Sequence, residues 1–471
     1  MSAPRTPAAG GERDVPVPDP LARDYLLLAL RLDQRIAGLV DGYYGPADLK
    51  ARVDTEQLRA PARLVADAVE LRARLALEVD EPDRRRWLEA QLLALEVQAR
   101  ALAGDGLPYL EHVTACFDHR PERTPEAVFD AAAEALGALL PGPGPLAARI
   151  AAWDDRFTVP VERVRAVVDA LLPELRRRAE ALFGLPSGEG LSVTLVRDQP
   201  WSGYNWYDGG RRSRVDLNTD LPIRAADLLS VLPHETYPGH HLEHAWHEAH
   251  LVDAQGRMEA SVLCINAPEC LLSEGLADLG RRFAVPPAEE VDLLVEVYRL
   301  AELPGLADPA AAREAAESQA AITRALAAVR GVAGNAALML HADGAPREEV
   351  LAYLERRLLS TPERAAKRLE FISHPLWRTY VFVYFEGERL LRRWLELVPP
   401  AEQPARFRRL LLEQLTPAAI ADEIAAAQLS EGAEASPAQP PERPPGEPAI
   451  GPSSSARSSP GPSQSSEAGT P

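Results

Sequence analysis

A chain of 471 residues with 46% hydrophobic and 26% charged side chains carries enough apolar material to bury a core, which excludes wholesale disorder. Its 51 Lys and Arg against 70 Asp and Glu give a formal charge of −19, which argues against nucleic-acid and anionic-lipid partners, since both need a basic surface. Cys116, Cys264 and Cys270 form no Cys-x-x-Cys pair, which disfavours a disulfide framework and a thiolate zinc site.

Residues 1–18 are rich in Pro, Gly and Ala and read as a disordered arm, without the apolar stretch of a signal peptide. No segment approaches the roughly 20 apolar residues of a membrane span, so the expectation is a cytoplasmic protein with no membrane partner. Residues 19–185 read as a helical region. DYLLLALRLDQRIAGLV, RRRWLEAQLLALEVQARALAG and VERVRAVVDALLPELRRRAEALF place Leu, Ile and Val three and four residues apart.

From Leu191 to Asn218 the period changes. SVTLV and SRVDLN alternate apolar and polar residues as half-buried strands do, with Trp201, Tyr204, Trp206, Tyr207 and a Gly209-Gly210 turn between them. A small sheet is expected here. After it the helical pattern resumes up to about residue 430. Residues 431–471 lack large apolar side chains and read as a disordered tail.

Six of the ten histidines fall in HETYPGHHLEHAWHEAH, residues 234–250. A polar, histidine-rich helix face is the plain alternative to any chemistry. Against it stands His234-Glu235, which follows the apolar run AADLLSVL and suggests a metal ligand next to a general base. In the common zinc-hydrolase helix the second histidine lies four positions on. Here that position is Pro238. Proline clashes with the carbonyl four residues back and Gly239 permits unusual dihedrals, so a looped-out turn could return His240 to the metal. His241 competes, since in an unbroken helix it would lie about 20° from His234 around the axis but roughly 10 Å along it. A third ligand is available in ECLLSEGLADLG, where Glu274 and Asp278 are one helical turn apart. Asp278 could accept the outer ring N–H of a ligating histidine.

His-Glu-Thr-Tyr-Pro-Gly-His-His resembles the HExxPGHH signature of domain-of-unknown-function family 885, which is grouped with zincin-like metallopeptidases. Further pieces support the resemblance: Asp41 to Pro46, PWSGYNWYDGG, APECLLSEGLAD, NAALMLH at 335–341 and HPLWRTYVFVYFEG at 374–387. It implies a mainly α fold with a small β-sheet, a zincin-like catalytic region over residues 186–430 and one zinc ion per chain. The implied ligands are His234, one of His240 or His241, and Glu274, with Glu235 as general base. The family's Arg-x-Tyr and Tyr-x-x-Gly elements correspond to Arg378, Tyr380, Tyr384 and Gly387, and Glu243 stands where many relatives have glutamine.

The expected function is therefore zinc-dependent hydrolysis of a peptide or small amide substrate. Tyr384 or Arg378 would assist the oxyanion, and Tyr204, Asn205 and Tyr207 would line a cleft where extended substrate pairs with an edge strand. Two alternatives stand beside it: a non-catalytic metal-binding helical scaffold that keeps the motif for stability, and an iron or manganese site.

Overall fold

The computed structural model describes residues 16–199 and 201–434, so the arm up to residue 15 and the tail from residue 435 lie outside the described residues. Local signals set many of the helices. Pro20–Asp33 opens with Pro in its first turn and with the Asp19 carboxylate accepting from the Ala22 N–H at 2.8 Å. Pro82–Ala103 ends on Gly104 in the left-handed region, φ 84°. Residues 431–434, read as the start of the tail, instead finish the helix Pro417–Glu434.

Two small sheets interrupt the helices. Strand β1 (Val40–Tyr43) pairs antiparallel with a segment far along the chain, named β5 below. Strands β2 (Gly190–Val196), β3 (Gly203–Gly209) and β4 (Arg212–Asn218) form a sheet in the order β2-β4-β3. β2 runs parallel to β4 and β3 antiparallel to it. β5 (Val262–Cys264) closes the first sheet, with Tyr43 opposite Val262. The aromatic stretch between the two expected strands is therefore a strand itself, at the sheet edge.

Apolar side chains gather in two large cores, each drawing on both sides of position 185. Leu26, Leu88, Leu95 and Val113 pack with Leu338, Leu354 and Ile372 in one. Val164, Val168 and Leu171 pack with Leu228, Leu232, Leu276 and Phe407 in the other. The described residues up to Ala427 make one unit. The helix Pro268–Ala284 spans the two cores, with Leu271 in the first and Leu272, Leu276 and Leu279 in the second. It crosses the helix Val383–Leu395 at a pair of glycines. A Cβ on Gly387 would lie 2.1 Å from the Leu271 carbonyl oxygen, and one on Gly275 would lie 2.4 Å from the Gly387 carbonyl carbon. Only two hydrogen side chains allow this approach.

Among the described residues no helix is long and apolar enough to cross a membrane.

Candidate metal centre

The helix Ala225–Glu235 stops one residue after His234, and a new helix, His240–Trp246, starts five residues further on. Between them Thr236 leaves helical dihedrals at φ −119°, ψ −95°, the Tyr237-Pro238 peptide is cis, and the Gly239 N–H donates to the Pro233 carbonyl at 3.0 Å. The turn lies so tightly on the helix end that a Cβ at Gly239 would sit 1.8 Å from the His234 carbonyl oxygen. Any other residue would push the second helix away. The result is that His234 Nε2 and His240 Nε2, six positions apart, come within 3.2 Å.

Glu274 completes the group: Oε2 is 3.7 Å from His234 Nε2 and Oε1 is 3.8 Å from His240 Nε2. Zinc ligands about 2.0–2.2 Å from a tetrahedral ion lie roughly 3.3–3.6 Å from one another, so the two imidazole nitrogens and the Glu274 carboxylate are within a few tenths of an ångström of the separations such an ion needs. The ring contacts also fit. His234 Nδ1 is 3.1 Å from Asp278 Oδ1, and Asp278 Oδ2 pairs with Arg330 Nη1 at 2.9 Å. His240 Nδ1 is 3.2 Å from Ser273 Oγ and 3.6 Å from Glu243 Oε2, and Ser273 donates to Glu243 at 2.6 Å. With the Nδ1 protons turned to these partners, both Nε2 lone pairs face each other and repel unless a cation lies between them. Burial alone would raise the Asp278 carboxyl, but His234 and Arg330 outweigh it and hold it down at about 2. Asp278 therefore stays an acceptor.

His241 does not join this group. Its Nδ1 is 2.8 Å from Ser213 Oγ and its Nε2 is 3.0 Å from Glu189 Oε2, so both nitrogens are engaged on the sheet side. The second histidine of the cluster is His240. His244 stacks on His240 with ring centroids 5.8 Å apart, and its Nδ1 is buried without a hydrogen-bond partner.

Glu235 adjoins the three donors. Burial pushes its carboxyl above the usual range, although His234 and His240 act in the opposite direction. A Cβ built on Gly203, at the start of β3, would lie 3.6 Å from Glu235 Oε1, which places the edge strand directly beside this carboxylate. The Asn205 amide donates to the Glu235 carbonyl at 2.6 Å, so Asn205 fixes the helix end from the strand.

The assignment of Tyr207 to the cleft needs correction. β3 alternates, so Asn205 and Tyr207 point one way and Tyr204 and Trp206 the other. Tyr207 is 4% exposed, packs its ring 5.0 Å from Tyr44 and donates to Glu248 at 2.5 Å. It belongs to the core, not to a cleft wall. Tyr204 hydrogen-bonds Asp41 of β1 and packs its ring, tilted, 4.4 Å from that of Trp206. Arg378 is also elsewhere. The groups that feel its charge are Tyr109, His112, Cys116 and His341, none of them in the cluster, and its Nε is buried without a hydrogen-bond partner.

Tyr384 is near Glu274 electrostatically, and its ring lies 5.2 Å from that of Tyr380. Tyr380 is the residue in direct contact, donating to Glu274 Oε1 at 2.8 Å. The Arg-x-Tyr resemblance includes it without giving it a task; its i, i+4 spacing to Tyr384 is the signal that would have found it. Ser273 and Arg330 carry no comparable signal.

Among known proteins, no family model and no curated sequence matches the chain. A solved structure described as the putative lipoprotein from Colwellia psychrerythraea is similar at TM-score 0.44, with 16% identity over 78% of this chain and 66% of that one. The chain thus spans just under two thirds of that protein's length.

Proposed function

We propose that this chain is a zinc-dependent hydrolase of peptide or related amide bonds, of the zincin-like kind that the HExxPGHH resemblance implies. The observation that carries the reading is the convergence of His234 Nε2, His240 Nε2 and one Glu274 carboxylate, each ring backed by a carboxylate and Glu235 alongside. His234, His240 and Glu274 would hold the metal. When bound, zinc supplies Lewis acidity toward a carbonyl oxygen and toward water.

The protein's own groups have separable tasks in this scheme. Glu235, its carboxyl raised above the usual range by burial, takes a proton from the attacking water and returns it to the leaving nitrogen. Tyr384 is a hydrogen-bond donor at neutral pH because burial pushes its phenol up, and its hydroxyl makes no hydrogen bond among the described residues. That leaves it available to the oxyanion that forms as the carbonyl is attacked. Tyr380 orients Glu274. The start of β3, beside Glu235, offers backbone groups along which an extended peptide can align.

The test is metal analysis of untagged full-length protein, joined to turnover of a broad peptide library by wild type and by Glu235→Gln. The expected result is about one zinc per chain in both proteins, with hydrolysis by wild type alone. Protein that takes up no zinc on titration, or full turnover by the variant, refutes the reading. Zinc-dependent melting without hydrolysis would favour the scaffold alternative.

A further inference from the structure

Glu235, Glu274 and Asp278 make the candidate site acidic, and the residues that continue from Glu274 through Tyr380 have a different character. Phe371, Trp377, Tyr380 and Tyr384 form a run of contacting rings: Phe371 and Trp377 stack at 5.9 Å between centroids, Trp377 and Tyr380 meet edge to face at 5.4 Å, and Phe371 and Tyr384 are tilted at 6.3 Å. Phe371, Trp377 and Tyr384 are only half-buried, so this aromatic wall retains accessible surface. It leads directly to the cluster through Tyr380 and Glu274.

Arg368 stands on this wall. Its guanidinium carbon lies 5.6 Å from the centre of the Phe371 ring, one turn on in the helix Pro362–Ser373. Other arginines around the site have carboxylate partners: Arg330 pairs with Asp278 and Glu388, and Arg389 with Glu386. Among the described residues Arg368 has neither an ion pair nor a side-chain hydrogen bond. Desolvation pushes its guanidinium below the usual value, and its charge acts on the Tyr384 hydroxyl. A half-buried guanidinium without a carboxylate partner among the described residues presents a fork shaped for a carboxylate.

Resting on the hydrolase reading, we propose that Arg368 is the recognition residue for a carboxylate on the substrate, which it binds as a forked ion pair against the Phe371–Tyr384 aromatic wall. The substrate class that follows is an amide bearing a carboxylate, with an aromatic or aliphatic group packed on those rings. A free chain terminus and an acidic side chain both supply that chemistry.

Calorimetric binding to the full-length Glu235→Gln protein separates the possibilities. The probes are three N-acetylated dipeptides: one with a free C-terminal carboxylate, its C-terminal amide, and an amide whose only carboxylate is a glutamate side chain. At least one acid should bind tenfold or more tightly than the neutral amide, and the tighter of the two identifies the source. Arg368→Gln should remove that preference, and Arg368→Lys should keep part of it. Equal affinities of acids and amide, failure of all three to bind at millimolar concentration, or a preference that survives Arg368→Gln overturns the assignment. Hydrolysis by wild type without any carboxylate preference defeats Arg368 alone; a carboxylate preference without hydrolysis of any peptide defeats the hydrolase reading alone.

Discussion

The Tyr380 hydroxyl donates to Glu274 Oε1 at 2.8 Å across 106 positions of sequence. This bond leaves Oε2 as the oxygen nearer His234 and holds the carboxylate at a defined angle to both imidazoles. Groups that orient metal ligands commonly change affinity by about 10–100-fold when removed. Tyr380→Phe is therefore expected to weaken zinc binding by that factor, read by competition with a chelator. Melting of the metal-free variant should match metal-free wild type to within about 1 kcal/mol, as expected for one hydrogen bond. Unchanged zinc affinity would show that the bond does not position Glu274.

His240 and His241 are adjacent, yet their environments predict opposite phenotypes. His240→Ala removes one of the three converging donors and should abolish stoichiometric zinc uptake. His241→Ala should keep the zinc and lose about 1–3 kcal/mol of stability, because Ser213 and Glu189 lose their partner in a buried setting. Zinc content and chemical melts of the two variants decide the matter. Loss of zinc in His241→Ala would contradict the arrangement described above.

Gly387→Ala tests the helix crossing that carries Glu274. Alanine normally stabilises a helix by about 1 kcal/mol over glycine. Here its Cβ would meet the Leu271 carbonyl oxygen at 2.1 Å, so the helices must separate. The expected outcome is a loss of about 1–3 kcal/mol together with weaker zinc binding. A more stable variant would mean that the two helices do not meet at these glycines.

Glu189 gives a pH dependence with a definite sign. Its side chain is 1% exposed, and it accepts from Tyr237 at 2.5 Å, His241 at 3.0 Å and Arg176 at 2.6 Å. Burial would raise its carboxyl, but these hydrogen bonds prevail and bring it down to about 2. An unfolded glutamate titrates near about 4.3, so the stabilisation is complete above that pH and is lost as the pH falls toward the folded value. Glu189→Gln should cost about 1–3 kcal/mol at pH 7. The gap to wild type should narrow steadily between about pH 4.5 and pH 2. A gap that is constant over this range in denaturant melts would show that the carboxylate is not ionised in the folded protein.

Much of this protein is legible without coordinates where the relevant forces are local. The helices follow from apolar residues three and four apart. His234-Glu235 stands out because the run before it is core-like, and Asp278 is one turn from Glu274 on a single helix. The kink at Pro238-Gly239 is equally local, since proline and glycine act on their own backbone.

Where a decision depends on distant partners, sequence pattern leaves it open. The choice of His240 over His241 is made by Ser213 and Glu189, which arrive from the sheet and the loop before it and take both nitrogens of His241. Tyr207 is drawn into the core because β3 pairs with β4 in one register, and a strand shifted by one residue would have exposed it instead. Arg378 and Tyr380 are two positions apart on one short helix, but the Arg378 backbone carbonyl accepts from Tyr109 while the Tyr380 hydroxyl reaches Glu274. Sequence determines which residues are able to bind, cap or turn, because those are properties of a side chain and its immediate backbone. Tertiary packing alone determines which of them meet, because donors on segments forty to a hundred residues apart acquire a common location only when the two cores close around the helix Pro268–Ala284.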